Sequence, residues 1–331
     1  MERRPAGQAR IKWRAAVIEI EESMRISHSL CSFILDSIYN MNYTIGKPNR
    51  KEELMFDYHI HSTVSFDAHS SMEDIVETAR EKGVREVCFT EHFDLNPPVG
   101  DTRQDCDFSL YRASIEKARG RFAGFPVKLG LELGIVLADL PAYEAAAKAM
   151  PFDFILCSQH VVNGKDPYYG GFFDDKTVRQ AQREYLQELY DSIKSFDNFD
   201  VAGHIGYMDK YVERNGLDPN APENRPFAYD DFPALLDDIL RLLIKKNKGI
   251  EVNTSTYDAF SRPLPHPGII RRYAELGGKI VTTGSDAHRA SEVGRSFSEA
   301  YQLLLDCGFS HVCTYTNRQP VFHKLEHCLR G

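Results

Sequence analysis

The sequence has no Cys-x-x-Cys pair, and its 7 cysteines are an odd number spread along 331 residues. A disulfide framework and a cysteine zinc knuckle are both disfavoured, a pattern typical of a protein in a reducing cytoplasm. It also lacks any apolar run of about 18 residues, the length that a membrane span requires. Basic residues are in the minority, with 40 Lys and Arg against 48 Asp and Glu. A nucleic-acid backbone is therefore a poor match as the main partner, and a small-molecule substrate is a better one.

The first 54 residues differ from those that follow. They open with the basic run MERRPAGQARIKWR and continue with the periodicity of one amphipathic helix. Neither the compact apolar stretch nor the small-residue cleavage site of a targeting peptide is clear there. Because a strand-like run begins at Met55, we predict two parts: residues 1–54 are an extension, disordered or one helix, and residues 55–331 are a single domain.

From Met55 onward one arrangement recurs, in which a short β-type run ends in polar residues and a segment of helical periodicity follows. The runs are MFDYHIH, REVCFTEH, FPVKLGLELG, FDFILCSQH, FDVAGHIG, KGIEVNTS and GKIVTTGSDAH. Among the helical segments, SMEDIVETAREKG has Ser71 as a candidate N-cap and Gly83 as a candidate stop. The alternation predicts an α/β fold of parallel strands, and in a closed barrel the carboxyl ends of all the strands meet at one face.

Metal-binding side chains accumulate at these strand ends. His59 and His61 are two residues apart on a strand, so both imidazoles can face one ion, although a His-x-His pair alone is a weak signal. Six of the 12 histidines end a predicted strand and three carboxylates accompany them: His59, His61, His92, His160, His204 and His288, with Asp67, Glu132 and Asp286. The set is too large for one tetrahedral ion, so it predicts more than one divalent metal, with zinc, manganese and iron all compatible.

In this order, the motifs HIH, SFDAHS, TEH, GLELG, SQH, GHIG, EVNTS and GSDAH resemble those of the PHP (polymerase and histidinol phosphatase) superfamily, and specifically its histidinol-phosphatase branch. The resemblance covers residues 55 to 310 approximately. It implies a distorted seven-stranded (β/α) barrel, TIM-like, with three metal ions at the face formed by the carboxyl ends of the strands. It also implies that the nine residues above are the metal ligands, and that Glu132 is the bridging carboxylate.

Further roles are assigned around this set. The segment EVNTSTYDAFSR resembles the same branch, which makes Arg262 the expected contact for a substrate phosphate, with Arg289 as a second candidate. Asp94 is the candidate general acid, with a metal-bound water as the alternative. Asp57 precedes His59 by two residues, so in a regular strand it shares a face with His59 and His61, and it is expected to orient a ligand histidine. The chain has His-Pro-Gly from His266 where the branch has Tyr-Pro-Ser, a difference that concerns substrate specificity more than the metal centre.

The resulting prediction is a metal-dependent phosphomonoester hydrolase that acts on a small phosphorylated metabolite, in particular a histidinol-phosphate phosphatase of histidine biosynthesis. Metal ions close together lower the pKa of a shared water, so hydroxide attacks phosphorus while the ions neutralise the phosphoryl oxygens. Two alternatives stay open: a phosphoesterase of the same superfamily for another metabolite or a nucleotide, and an inactive barrel that serves as a binding module. Missing ligands are the signature of an inactive barrel, and here all nine positions are filled.

Other conspicuous residues are placed outside the metal centre. Glu91 is expected behind the ligands or in a buried ion pair, and the segment PYYGGFF, 167–173, either covers the substrate or packs as a simple loop. The remaining candidates are expected to be solvated or structural: His69, His266, His311, His323 and His327.

Overall fold

The computed structural model describes residues 54–95 and 106–328. The predicted extension lies outside the described residues apart from Leu54, so its structure stays a prediction. The strands are β1 (Met55–Ile60), β2 (Val84–Phe89), β3 (His92–Asp94), β4 (Val127–Gly134), β5 (Phe154–Ser158), β6 (Val201–Ala202), β7 (Gly249–Asn253), β8 (Val281–Gly284), β9 (His311–Thr316) and β10 (Gln319–Lys324). The helices are α1 (Met72–Glu81), α2 (Phe108–Arg121), α3 (Leu140–Ala146), α4 (Val178–Ser195), α5 (Pro233–Lys245), α6 (Tyr257–Phe260), α7 (Pro267–Glu275) and α8 (Phe297–Asp306).

Parallel strands form a nearly closed barrel in the order β1-β2-β4-β5-β6-β7-β8, which confirms the predicted fold class. The chain after β8 returns to β1, where Asp286 N donates to His59 O at 2.8 Å and His61 N donates to Ala287 O at 2.9 Å. The short β3 is a separate strand that pairs with the end of β4 and places His92 beside Glu132. The carboxyl ends of the strands therefore converge on one face.

The helices begin and end where local sequence signals place them. Ser71 Oγ accepts a hydrogen bond from Asp74 N at 3.2 Å, as predicted for the start of α1. Gly83 has a φ of 84° just beyond the end of that helix, a conformation that glycine adopts at little cost. At α4, Thr177 and Gln180 form a reciprocal capping box. No described helix is both long enough and apolar enough to cross a membrane.

The hairpin of β9 and β10 has no counterpart in the sequence prediction. Tyr315 on β9 and Tyr58 on β1 both pack against Phe154 on β5, with ring centroids 4.9 Å and 5.3 Å from the Phe154 centroid. Since β1 and β5 are not neighbours in the sheet, these rings fill the barrel interior. At the hairpin turn, Arg318 Nε donates to Asp200 just before β6, at 2.5 Å. The hairpin therefore covers the amino-terminal end of the barrel and leaves the opposite end for the polar groups.

Strand β1 carries an extra residue just before the predicted metal ligands. From Asp57 to Ile60 it advances three residues while β2 advances two, from Val87 to Phe89. Such a β-bulge breaks the strict alternation of side chains. The prediction that Asp57 shares a face with the ligand histidines depended on that alternation.

Asp57 holds the backbone rather than a histidine ring, so its predicted role was wrong. Its buried carboxylate accepts hydrogen bonds from Ser285 N and Gly294 N, each at 2.9 Å. Burial raises the pKa of Asp57 to about 6, although these hydrogen bonds favour the charged form. Asp57 thereby ties β1 to the chain after β8 and helps to close the barrel beneath the site.

Tyr58→Phe is expected to lower the free energy of unfolding by about 1–3 kcal/mol, because it leaves buried polar partners unsatisfied. The Tyr58 hydroxyl accepts a hydrogen bond from Tyr315 N at 2.8 Å and donates one to Glu86. Urea unfolding monitored by circular dichroism measures the change. Tyr190→Phe is the matched control, since its hydroxyl forms no hydrogen bond within the described residues. The control is expected to change stability by less than about 0.5 kcal/mol, and an equally small loss for Tyr58→Phe would contradict the prediction.

Candidate metal centre

The carboxylate of Glu132, on β4, lies at the centre of the site and is fully buried. Its two oxygens face imidazole nitrogens delivered by the ends of β1, β3, β5 and β6. The distances from a carboxylate oxygen to a ring nitrogen run from 2.9 to 3.4 Å, and the histidines are His59, His61, His92, His160 and His204. One carboxylate therefore joins ligand candidates that lie far apart in the sequence.

Asp286 supplies a second buried carboxylate, directly after β8. Its Oδ1 lies 3.7 Å from His59 Nε2 and 3.6 Å from His61 Nε2. Its Oδ2 accepts a hydrogen bond from Lys210 Nζ at 3.0 Å. Asp286 has a φ of 53°, in the left-handed region that non-glycine residues seldom adopt. This backbone conformation is part of how the chain turns from β8 into the site.

Asp67 and His288 complete the arrangement on its outer side. His288 Nε2 lies 3.3 Å from Asp67 Oδ2, and His92 Nε2 lies 3.6 Å from the same oxygen. The structure thus brings together all nine residues that the resemblance names as ligands. Among the described residues, four groups of three have ligand atoms within 4.8 Å of one another: His61, His92 and His288; His59, His61 and Asp286; His59, Glu132 and His204; and His92, Glu132 and His160.

A second layer of polar groups fixes the orientation of the rings. Glu251 Oε1 lies 2.6 Å from His59 Nδ1, and Asp94 Oδ1 lies 3.0 Å from His160 Nδ1. In both histidines the other nitrogen, Nε2, then points to Glu132. A partner on one ring nitrogen determines the tautomer and leaves the opposite nitrogen available as a ligand. Glu251 lies in the predicted strand KGIEVNTS, but no sequence motif predicts its contact with His59.

Electrostatic shifts within the site reflect the same contacts. Burial disfavours the charged form of His59, but Glu132, Glu251 and Asp286 outweigh burial and raise the pKa of this imidazole well above its ordinary value. Burial also disfavours the charged form of Glu132, and there the surrounding imidazoles, that of His59 foremost, hold the pKa well below its ordinary value. The centre therefore keeps its carboxylates ionised and stabilises positive charge between them.

The donor set fits divalent metal ions. Six buried atoms of the nine residues form no hydrogen bond within the described part of the chain, among them Asp67 Oδ1 and His204 Nδ1. The other four lie together: Glu132 Oε2 and, each within 3.4 Å of it, His59 Nε2, His61 Nε2 and His92 Nδ1. Buried polar atoms normally have partners, because leaving them unpaired is costly. Imidazole nitrogens with carboxylate oxygens are ligands that zinc, manganese and iron accept. Metal ions bound here would satisfy all four atoms at once.

The site opens into a cavity of about 350 Å³. Besides the predicted ligands, its wall contains cationic, acidic, aromatic and neutral polar side chains: Lys210, Arg289 and Arg295; Asp94, Asp166 and Glu292; Phe66, Tyr168, Tyr169, Tyr207 and Tyr211; and His69 and Ser255. The segment PYYGGFF contributes both to the cavity wall and to the core, and its covering of the substrate stays a prediction. Its tyrosines, Tyr168 and Tyr169, face the cavity, and its phenylalanines, Phe172 and Phe173, are buried in the core.

The structure does not bring Arg262 to the cavity, contrary to the expectation that it contacts the substrate phosphate. Its guanidinium donates to Pro263 O at 2.9 Å and lies 5.4 Å from the ring centroid of Phe260. Arg289, the second candidate, does line the cavity, as does Asp94. Lys210 was missed, because it lies in a loop after β6 where no motif marks it.

Residues placed outside the metal centre have mainly structural roles. Glu91 is buried and accepts hydrogen bonds from Ser62 Oγ and Ser65 Oγ, each at 2.5 Å, which holds the loop after β1. His266 Nδ1 accepts from Gly268 N at 3.0 Å and caps α7. His69 is exposed and lies at the cavity wall.

Gly134→Ala is expected to weaken metal binding by roughly 10- to 100-fold, the usual effect of losing a hydrogen bond that orients a metal-binding histidine. A Cβ at Gly134 would lie 1.6 Å from Asp94 Oδ1 and 2.7 Å from His160 Nδ1, so this pair must move apart. Metal content after dialysis against a weak chelator, measured by plasma mass spectrometry, tests this. Gly120→Ala, on the exposed face of α2 with no atom within 4 Å of the added Cβ, is the control. Equal metal retention in the two variants would mean that a Cβ at Gly134 does not disturb the contact between Asp94 and His160.

The comparisons with known proteins agree with this geometry. The model of the PHP domain family matches residues 57–255. A histidinol-phosphatase from Lactococcus lactis subsp. lactis is 32% identical over 266 residues, which cover 78% of this chain and 94% of that relative. Among solved structures, the histidinol phosphate phosphatase of Lactococcus lactis subsp. lactis, complexed with zinc, L-histidinol and phosphate, has a TM-score of 0.72 at 28% identity. That match covers 81% of this chain and 98% of that one.

The family match spans more than half of the chain, and the 32% identity extends over nearly the whole relative. The chain therefore belongs to the PHP domain family, in its histidinol-phosphatase branch.

Proposed function

We propose that the protein hydrolyses L-histidinol phosphate to L-histidinol and inorganic phosphate, with three divalent ions of zinc, manganese or iron in the centre. One observation carries this proposal: eight imidazole and carboxylate side chains converge with that of Glu132 in one centre. The structure of this chain aligns with 98% of the length of a phosphatase whose structure holds zinc, L-histidinol and phosphate. Divalent-metal use is the part that this likeness and the donor set support most directly.

The chain's own residues divide the work around the centre. Bound divalent ions supply Lewis acidity, which lowers the pKa of a coordinated water and neutralises phosphoryl oxygens. Lys210 places its ammonium in the cavity wall, 3.0 Å from Asp286 Oδ2, where it can bind a phosphoryl oxygen. Asp94 holds His160 and lines the cavity, so it stays our candidate for protonating the leaving alkoxide.

His266, which stands where the branch has tyrosine, lies outside the metal centre and its cavity. Its side chain caps α7, and it is not among the residues that line the cavity. The difference therefore does not argue for another substrate. An inactive binding module is disfavoured because every predicted ligand lies in the centre. Hydrolysis of another phosphorylated metabolite is an outcome that the following assay distinguishes.

We expect kcat/KM for L-histidinol phosphate to exceed that for other phosphomonoesters by at least about tenfold, equivalent to about 1.4 kcal/mol. Phosphate release is measured with L-histidinol phosphate, phosphoserine, phenyl phosphate and a nucleoside monophosphate. The enzyme is purified without chelator, and its metal content is measured in the same preparation. Glu132→Ala is the inactive control because it removes the central carboxylate. Equal or faster hydrolysis of the other esters would reject this substrate, and metal-free protein with full activity would reject the mechanism.

Lys210→Met is expected to lower kcat/KM for L-histidinol phosphate by about tenfold or more, since a charge-assisted hydrogen bond to phosphate is lost. Methionine keeps the length of the side chain without its charge. Steady-state kinetics and the inhibition constant of inorganic phosphate measure the effect. An unchanged inhibition constant would mean that Lys210 does not contact phosphate.

The same assay decides the role of Arg262. If the resemblance holds for this residue, Arg262→Gln weakens phosphate inhibition as Lys210→Met does. If its guanidinium stays with Pro263, as in the structure, phosphate inhibition is unchanged.

A further inference from the structure

The charged groups of the cavity are separated into two regions. The cations lie beside the end of β8: Lys210 binds Asp286, and Arg295 Nη2 donates to Ser285 O at 3.2 Å. The acidic groups Asp94 and Asp166 lie beside His160, which follows β5. Two strands, β6 and β7, separate β5 from β8 in the sheet. One carboxylate, that of Glu292, also lies on the cationic side, where it accepts hydrogen bonds from His288 N and Arg289 N. Among the lining groups that are not predicted metal ligands, the side of β8 therefore has three cations and one carboxylate, and the side of His160 has the carboxylates of Asp94 and Asp166.

Asp166 is the acidic residue whose role the metal centre leaves unexplained. It is only 8% exposed, yet it lines the cavity. Its Oδ1 accepts a hydrogen bond from Tyr168 N at 2.8 Å, and a turn closed by hydrogen bonds between Val162 and Lys165 fixes the chain just before it. Within the described residues Asp166 forms no ion pair. A buried carboxylate without a cation is unfavourable, so a positively charged ligand group would stabilise Asp166.

The surroundings of Asp166 strengthen such an interaction. Burial, together with the charge of Asp94, raises its pKa to about 6, although His160 and His92 act in the opposite direction. Aromatic rings form the adjacent wall, where the Tyr207 centroid lies 4.8 Å from that of His160 and 4.9 Å from that of Tyr211. Apolar ring surface lowers the local dielectric and offers a face to a cation.

We propose that Asp166 binds the protonated amino group of the substrate and so selects phosphomonoesters that carry an ammonium group near the phosphate. The proposal rests on the phosphatase function above. L-Histidinol phosphate has its primary amine on the carbon next to the one that bears the phosphate. Its anionic phosphate and its cationic amine therefore match the two regions of the cavity. Lys210 and the metal centre hold the phosphate, and Asp166 holds the amine.

The test is the ratio of kcat/KM for L-histidinol phosphate to kcat/KM for phenyl phosphate, which has no amine. Asp166→Asn keeps the shape of the side chain and removes its charge, so this ratio is expected to fall by about tenfold or more, the size of a lost charge-assisted hydrogen bond. Calorimetric binding of L-histidinol is expected to weaken by a similar factor in Asp166→Asn. Binding of inorganic phosphate is expected to change much less.

Asp174→Asn is the matched control, because it removes one negative charge from an exposed position of the same loop. It is expected to leave both the ratio and L-histidinol binding as in the wild type. An unchanged ratio in Asp166→Asn, or equal losses for both esters, would overturn the role of Asp166 while leaving the phosphatase function intact. A wild-type enzyme that shows no preference for L-histidinol phosphate would instead reject the proposed function.

Discussion

The contact between one buried carboxylate and five imidazoles is the constraint on which the site depends. Glu132 lies on β4, and the rings that face it come from the ends of β1, β3, β5 and β6. No local segment can supply such a set. The barrel has to close, through the hydrogen bonds between the ends of β1 and β8, before the ligands share one centre. The predicted ligands therefore share one centre only in the folded barrel.

Precision comes from the groups behind the ligands. Ser158 Oγ donates to Glu132 Oε1 at 2.7 Å, and Glu251 contacts both the His59 ring and the backbone N of His204. Glycine makes room for these contacts: a Cβ at Gly284 would lie 2.3 Å from Glu251 Oε1 and 2.4 Å from His59 Cβ. The ligands are thus held on strands by short, crowded contacts, which suits a site that must keep its geometry during catalysis.

The sequence predicts features that follow from local rules. The parallel barrel, the cap at Ser71 and the ligands at the strand ends all depend on periodicity, capping chemistry and the shared face of parallel strands. Features that depend on tertiary contacts were not predictable in this way. The bulge in β1 gave Asp57 a different role from the one that alternation implies, and Lys210 reaches the cavity from a loop without a motif. Similarly, Arg262 has the right motif but lies outside the cavity lining.

The predicted metal ligands lie mainly on strands or just after them, whereas the groups proposed to select the substrate lie on loops. Eight of the nine predicted ligands are on strands or within four residues after one, and Asp67 is in the loop after β1. Any phosphomonoester that presents its phosphate to the centre meets the same groups. The groups that distinguish one ester from another are on loops, where Asp166 and Tyr168 follow β5 and Lys210 follows β6. Changes in loops perturb a barrel little, so the substrate can change while the metal centre stays the same. Family membership therefore bears most strongly on the reaction, and the charge pattern of the loops bears on the choice of substrate. In this chain an acidic region opposite a cationic one favours an ester that carries an amine.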